Sequence, residues 1–193
     1  MNTLNIIRTR RSTRNYLNKS VEEEKLQQVL DAGRYVPSGG NSQTTHFIVI
    51  TNPEVMETLI QLVQQEFAKM EVIPGMYRSM VHSIEASKNG NYVFQYHAPV
   101  LILTANQIDY GNNIADCACA LENMMIMANA LDLGSCWINQ LKWLNENPII
   151  TEYLHSLGLD QTERVYGAMA LGYADPLNRT PLKRKGNKVT YVK

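Results

Sequence analysis

The sequence has no excess of charge of either sign, no long apolar run and too few cysteines to staple a fold. Lys+Arg and Asp+Glu both number 18 in 193 residues, so the basic surplus of a dedicated nucleic-acid binder is missing. The longest apolar stretch, Pro99 to Ala105, suits a buried strand and is far too short to span a membrane. The N-terminus lacks an apolar signal core, which points to the cytoplasm rather than to secretion. Cys117, Cys119 and Cys136 form neither a disulfide framework nor a zinc spacing. His46, His82, His97 and His155 are scattered, with no carboxylate or cysteine at ligand spacing, so no metal is expected.

What is present is ordinary for a globular chain. A hydrophobic share of 45% excludes wholesale disorder, and the length suits one domain over residues 1–193. Asn2 to Arg8 reads as a short helix. Ser20 followed by Glu23 reads as a capping box, with Leu26, Val29, Leu30 and Gly33 on one helical face. Asn52-Pro53 and Asn147-Pro148 are helix starts, with asparagine capping and proline at the first helical position. His46–Thr51, Pro99–Ala105 and Arg164–Tyr173 read as buried strands, Gly134–Ile138 as a shorter one, and Val189–Val192 as a final short strand. Ile114 to Leu133 is a long helix, apolar nearly all round, which must be covered by its own domain or by a partner chain. Residues 71–97 lose periodicity and read as an irregular or partly helical excursion, lid-like, while 175–193 form a C-terminal extension. The class is α+β, with helices packed around a central sheet.

Three features could carry chemistry. Arg10, Arg11, Ser12 and Arg14 gather guanidinium forks and a hydroxyl within five residues, a density that suits a phosphate, though a solvated helix end would look the same. Pro37-Ser38-Gly39-Gly40-Asn41-Ser42-Gln43 offers close backbone approach and amide side chains for a flat heterocycle, yet it also reads as a plain turn. It is neither a Walker loop nor G-x-G-x-x-G. Leu133-Gly134-Ser135-Cys136-Trp137-Ile138 follows the long helix; Gly134 could be its C-cap and Trp137 a core residue. Cys136 has no histidine near it in sequence and reads as inert packing. No triad and no paired catalytic carboxylates are visible, so a bound cofactor would have to perform the hard step.

Taken in order, Arg10 to Tyr16, Pro37 to Gln43 ahead of a buried strand, Asp116-x-x-x-Ala-x-Glu-Asn-Met124 and Leu133 to Ile138 resemble the nitroreductase family, from about Ile6 to the C-terminal strand and so over nearly the whole chain. The resemblance implies a homodimeric α/β/α sandwich with a mostly antiparallel sheet and FMN at the subunit interface. It implies that Arg10, Arg11, Ser12 and Arg14 hold the FMN phosphate and nearby groups, helped by one of Lys183, Arg184 and Lys185. It implies that Pro37, Ser38, Gly39, Gly40 and Asn41 come from the other subunit. The backbone of Ile138, Asn139 and Gln140 would meet the flavin N5 and O4 edge, although Asn139-Gln140 departs from the glycine-containing pair usual there. The implied activity is hydride transfer from NAD(P)H to FMN, and then to a nitroaromatic, quinone or similar acceptor by a ping-pong mechanism, without nucleic acid or membrane. Reductive dehalogenation or flavin degradation on the same scaffold is one alternative. A non-catalytic binding module built on Arg8 to Arg14 is another.

Overall fold

The structure is a computed structural model and describes residues 2–193. Its helices are α1 (Thr3–Thr9), α2 (Glu23–Arg34), α3 (Pro53–Ala68), α4 (Arg78–Lys88), α5 (Asn113–Ala130), α6 (Gln140–Trp143) and α7 (Pro148–Ser156). Its strands are β1 (His46–Ile50), β2 (Val100–Gln107), β3 (Gly134–Ile138) and β4 (Glu163–Gly172). They form one sheet of order β1-β2-β4-β3 in which every neighbouring pair is antiparallel.

Because strand side chains alternate between faces, the sheet needs cover on both sides. Leu101, Leu103 and Ala105 of β2 pack on one face with Leu59, Val63 and Phe67 of α3, Ile84 of α4 and Ile150 of α7. Val100 and Ile102 pack on the other face with Val29 of α2 and Leu121, Met124 and Ala128 of α5. The result is the expected helix–sheet–helix sandwich. One bulge adjusts it: Thr104 lies opposite Gly167 but Ala105 lies opposite Val165, so Tyr166 is an extra residue in β4. That insertion lets Val165 and Ala168, three apart, face the same layer.

Local chemistry set the helices where it was expected to. Asn52 accepts from the N–H groups of Glu54 and Val55, and Asn147 from those of Ile149 and Ile150, with proline following each cap. Helix α5 is covered mainly by α2, the sheet and α1, while Ile114, Ala115, Cys119 and Glu122 remain exposed along it. The excursion at 71–97 is indeed partly helical: α4 packs against α3, and Tyr92 and Phe94 enter the core.

Three local readings are corrected. Helix α2 begins at Glu23 with Glu22, not Ser20, at its N-cap and no side-chain cap bond; the Glu22 carboxylate is engaged instead by the Tyr173 hydroxyl and Lys19. Helix α5 ends through Asp132, which takes the left-handed conformation (φ 63°), while the Leu133 N–H reaches back to the Ala128 carbonyl at 2.9 Å. Gly134 is therefore not the cap. Val189–Val192 is not a strand but an exposed tail segment. A strand needs a ladder partner, and this segment bonds to neither edge of the sheet; beside β3 Ser12 bridges to Ser135 instead.

Candidate functional site

The N-terminal basic segment is brought to the sheet by main-chain bonding. Ser12 pairs with Ser135 of β3 in a parallel bridge, the Thr13 N–H donates to the Ser135 carbonyl at 2.8 Å, and Tyr16 bridges to Ala174. The Tyr16 hydroxyl donates toward the carbonyls of Thr13 (3.0 Å) and Ala170 (3.3 Å), fixing the segment across the β4 end. Gly134 permits this approach, since a Cβ there would lie 2.6 Å from Thr13 Oγ1.

The strap and the end of β3 border a cavity of about 370 Å³ lined by Ser12, Arg14, Cys136, Trp137, Asn139 and Gln140 on one side and by Tyr77, Ser79, Tyr96 and Trp143 on the other. Tyr77 and Tyr96 come from the excursion at 71–97, which the sequence marked only as lid-like. Ser79 and Trp143 escaped sequence reasoning; for Trp143 the one available signal was an aromatic three residues after Gln140. Tyr77 stands edge-on to Trp143 with ring centres 6.1 Å apart, and Phe67 supports Trp143 from the core at 6.4 Å. The Arg14 guanidinium lies 5.7 Å from the centre of the Tyr96 ring. Tyr96 and His97 are both left-handed (φ 59° each), a strained pair for residues with side chains. Buried Gln95 holds them, accepting the His97 N–H at 2.8 Å and donating to the Ala98 carbonyl at 3.2 Å.

The turn after β3 is tied down by its own side chains. The Trp137 indole N–H donates to Asn139 Oδ1 at 2.8 Å, and the Asn139 main-chain N–H donates to Gln140 Oε1 at 3.1 Å. The Ile138 side chain is buried in the core layer of α3, and Ile138 does not line the cavity.

The other expected residues lie elsewhere. Arg10 pairs with Glu122 of α5 at 3.9 Å, and Arg11 donates to the Thr180 carbonyl at 2.9 Å, which holds the tail against the strap. Lys183, Arg184 and Lys185 are exposed and do not line the cavity, because the tail beyond Thr180 has no regular structure to aim them. Pro37 precedes a 3₁₀ turn over Gly39–Asn41. Ser38 and Asn41 line a different cavity, of about 730 Å³, with Asp31, Arg34, Tyr35 and Phe47 among its walls. Within one chain, then, the glycine loop and the Ser12–Arg14 segment border separate cavities.

That loop is latched to α5. Buried Asp116 accepts the Gly39 N–H at 3.3 Å and the Tyr110 hydroxyl at 2.9 Å, and Tyr110 also accepts from Ser42 at 2.9 Å. Gly39 has a packing reason beside any ligand contact: a Cβ would collide with Asn112 Nδ2 and lie 2.6 Å from the Tyr110 oxygen. Gly40 and Asn41 complete the turn in left-handed conformations (φ 60° and 56°).

Among titratable groups at the first cavity, burial raises the Cys136 thiol, opposed only in part by Arg14 and Arg10. Burial also pushes the Tyr92 phenol, behind Gln140, up to about 12. Neither is poised to exchange protons near neutrality. The cavity instead gathers the Arg14 guanidinium, the hydroxyl residues Ser12 and Ser79, the turn after β3 and the aromatic side chains Tyr77, Tyr96 and Trp143, a set suited to holding a flat anionic cofactor.

Comparison with known proteins agrees with this geometry. The nitroreductase family model matches residues 7–173. A protein of Archaeoglobus fulgidus provisionally named NADH dehydrogenase/NAD(P)H nitroreductase is 26% identical over 170 residues, covering 88% of this chain and 84% of the relative. The nitrobenzene nitroreductase of Ectopseudomonas oleovorans is 26% identical over 200 residues, covering 88% of this chain and 86% of the relative. The crystal structure of a nitroreductase with bound FMN from Bacteroides fragilis superposes with a TM-score of 0.87 at 36% identity, covering 100% of both chains.

Proposed function

The chain belongs to the nitroreductase family, and on that premise we propose that it is an NAD(P)H-dependent, FMN-containing oxidoreductase that reduces nitroaromatics, quinones or similarly electron-poor compounds. The observation that carries this reading is the convergence of Ser12 and Arg14, the Trp137–Gln140 turn and the Tyr77, Tyr96 and Trp143 wall on one cavity. The donor set fits FMN: a guanidinium and a hydroxyl for the phosphate end, aromatic surface for the ring, and a main-chain turn for the ring edge. FMN, when bound, supplies the redox chemistry, taking hydride from NAD(P)H and passing electrons to the acceptor in a ping-pong sequence.

The protein's own part is to bind, orient and enclose. Ser12 and Arg14 hold the phosphate, with Arg10, Arg11 and one of Lys183, Arg184 and Lys185 adding charge. Residues 71–97 act as a lid whose Tyr77 and Tyr96 shape the acceptor pocket, and 175–193 extend one single domain. The Ser38–Asn41 loop serves the cofactor bound to a second copy of the chain. Its separation from the Ser12–Arg14 cavity supports this homodimeric arrangement, as do the exposed Leu4 and Ile7 of α1 and Ile114 of α5.

The test is direct. Purified protein is expected to be yellow, to hold one FMN per chain and to oxidise NADH or NADPH when given a nitroaromatic or quinone. Colourless protein that takes up no FMN would refute the reading.

A further inference from the structure

Gln140 sits where the cavity turn meets the lid helix, and its side chain is wholly engaged. Its Oε1 accepts the Asn139 N–H at 3.1 Å, and its Nε2 donates to the Tyr92 hydroxyl at 2.5 Å. The Tyr92 and Ser83 oxygens are 2.7 Å apart, and Ser83 donates its hydroxyl hydrogen to the Ser79 carbonyl within α4 at 2.9 Å. With that hydrogen committed, Tyr92 must donate to Ser83 and accept from Gln140. A flipped Gln140 amide would set its NH₂ against the Asn139 N–H, donor to donor. Both ends of the chain of bonds therefore fix one orientation. Gln140, Tyr92 and Ser83 are all buried; of the three, only Gln140 borders the cavity.

This arrangement sorts the donors of the turn. The Asn139 N–H is consumed inside the protein. The Gln140 main-chain N–H, at the start of α6, donates to no protein group among the described residues. We propose that Gln140 is a positioning residue for the ring edge of the bound cofactor: its side chain withdraws the Asn139 N–H, leaves its own N–H as the donor of the turn, and pins that turn to α4 through Tyr92 and Ser83. The inference rests on the FMN reading above. In a partly dry site the aim of one hydrogen bond carries weight, so the turn's geometry bears on the relative affinity for oxidised and reduced flavin.

The experiment compares wild type, Tyr92→Phe and Gln140→Leu. It measures oxidised FMN and riboflavin affinities and the two-electron potential against a reference dye. Tyr92→Phe leaves every cavity-lining residue in place. It is expected to keep the wild-type ratio of FMN to riboflavin affinity while changing the ratio of oxidised to reduced affinity about three- to tenfold, about 14–30 mV. Gln140→Leu is expected to shift that ratio further in the same direction. If Gln140→Leu does not fold, Tyr92→Phe decides alone. An unchanged potential in variants that fold and hold FMN, with only melting temperature lowered, would overturn the inference by reducing the network to a structural clamp. Wild-type protein that takes up no flavin would instead refute the functional reading beneath it.

Discussion

Gly134 and Thr13 touch so closely that a Cβ on the glycine would lie 2.6 Å from Thr13 Oγ1 and 2.9 Å from its Cβ. The atoms it would meet include the rigid base of a β-branched side chain in a strap bonded to Ser135, so the strap itself must move. Gly134→Ala should cost about 1–3 kcal/mol, as overpacking commonly does. It should also weaken FMN binding, because Ser12 and Arg14 ride on the displaced segment. Chemical denaturation and an FMN titration check both; wild-type values in each would show that the contact relaxes harmlessly.

Arg14 is the basic residue of the strap that lines the cavity, whereas Arg10 is held by Glu122. Losing one charged partner of a phosphate costs about 1.5–3 kcal/mol, roughly ten- to hundredfold in affinity. Arg14→Ala should therefore weaken FMN by about that factor and riboflavin, which lacks the phosphate, far less. Arg10→Ala should show the same preference if Arg10 leaves Glu122 on loading. Equal losses for the two ligands would place the arginine at the ring or in the fold.

Tyr110 joins the glycine loop to α5, its hydroxyl meeting Asp116, Ser42 and the Gly39 carbonyl. Tyr110→Phe takes the hydroxyl donor from the buried Asp116 carboxylate and leaves it the Gly39 N–H, a loss of about 1.5–3 kcal/mol for a charged acceptor. The expected result is a lower denaturation midpoint together with faster proteolysis within residues 38–43. Unchanged proteolysis would show that the loop holds itself.

Cys136 lines the cavity, yet its thiol is buried and its pKa is raised by that burial. It should remain protonated at neutral pH and react slowly with alkylating reagents. Cys136→Ala should keep most NAD(P)H turnover; lost turnover with FMN still bound would reveal a chemical role.

Much of the fold was legible because its signals are local. The Asn-Pro starts of α3 and α7 act within three residues, and the apolar runs of β1, β2 and β4 follow from burial on both sheet faces. Where a local signal met a tertiary competitor, the competitor won. Ser20 lost the cap of α2 because Glu22 sits at that position, drawn to Tyr173 and Lys19. Gly134 serves Thr13 rather than the end of α5, since Asp132 could take the left-handed turn. The tail at Val189–Val192 has the composition of a strand but lies exposed and pairs with neither edge of the chain's own sheet.

The sequence by itself determined the family motifs, the sandwich of helices about a sheet and the segments from which a cofactor site would be drawn. Only the tertiary structure decided which of those residues meet. Arg14 joins Tyr96 and Trp143 at one cavity, while Arg10 turns to Glu122 and the glycine loop is latched to Asp116. It also showed that the Gln140 side chain is committed to Tyr92, 48 positions away. Caps and periodicities are written in neighbouring residues, whereas these partnerships depend on strand register and on how α4 and the N-terminal strap fold back. Backbone sterics along the chain fix the first kind of information; the second exists only once distant segments are packed.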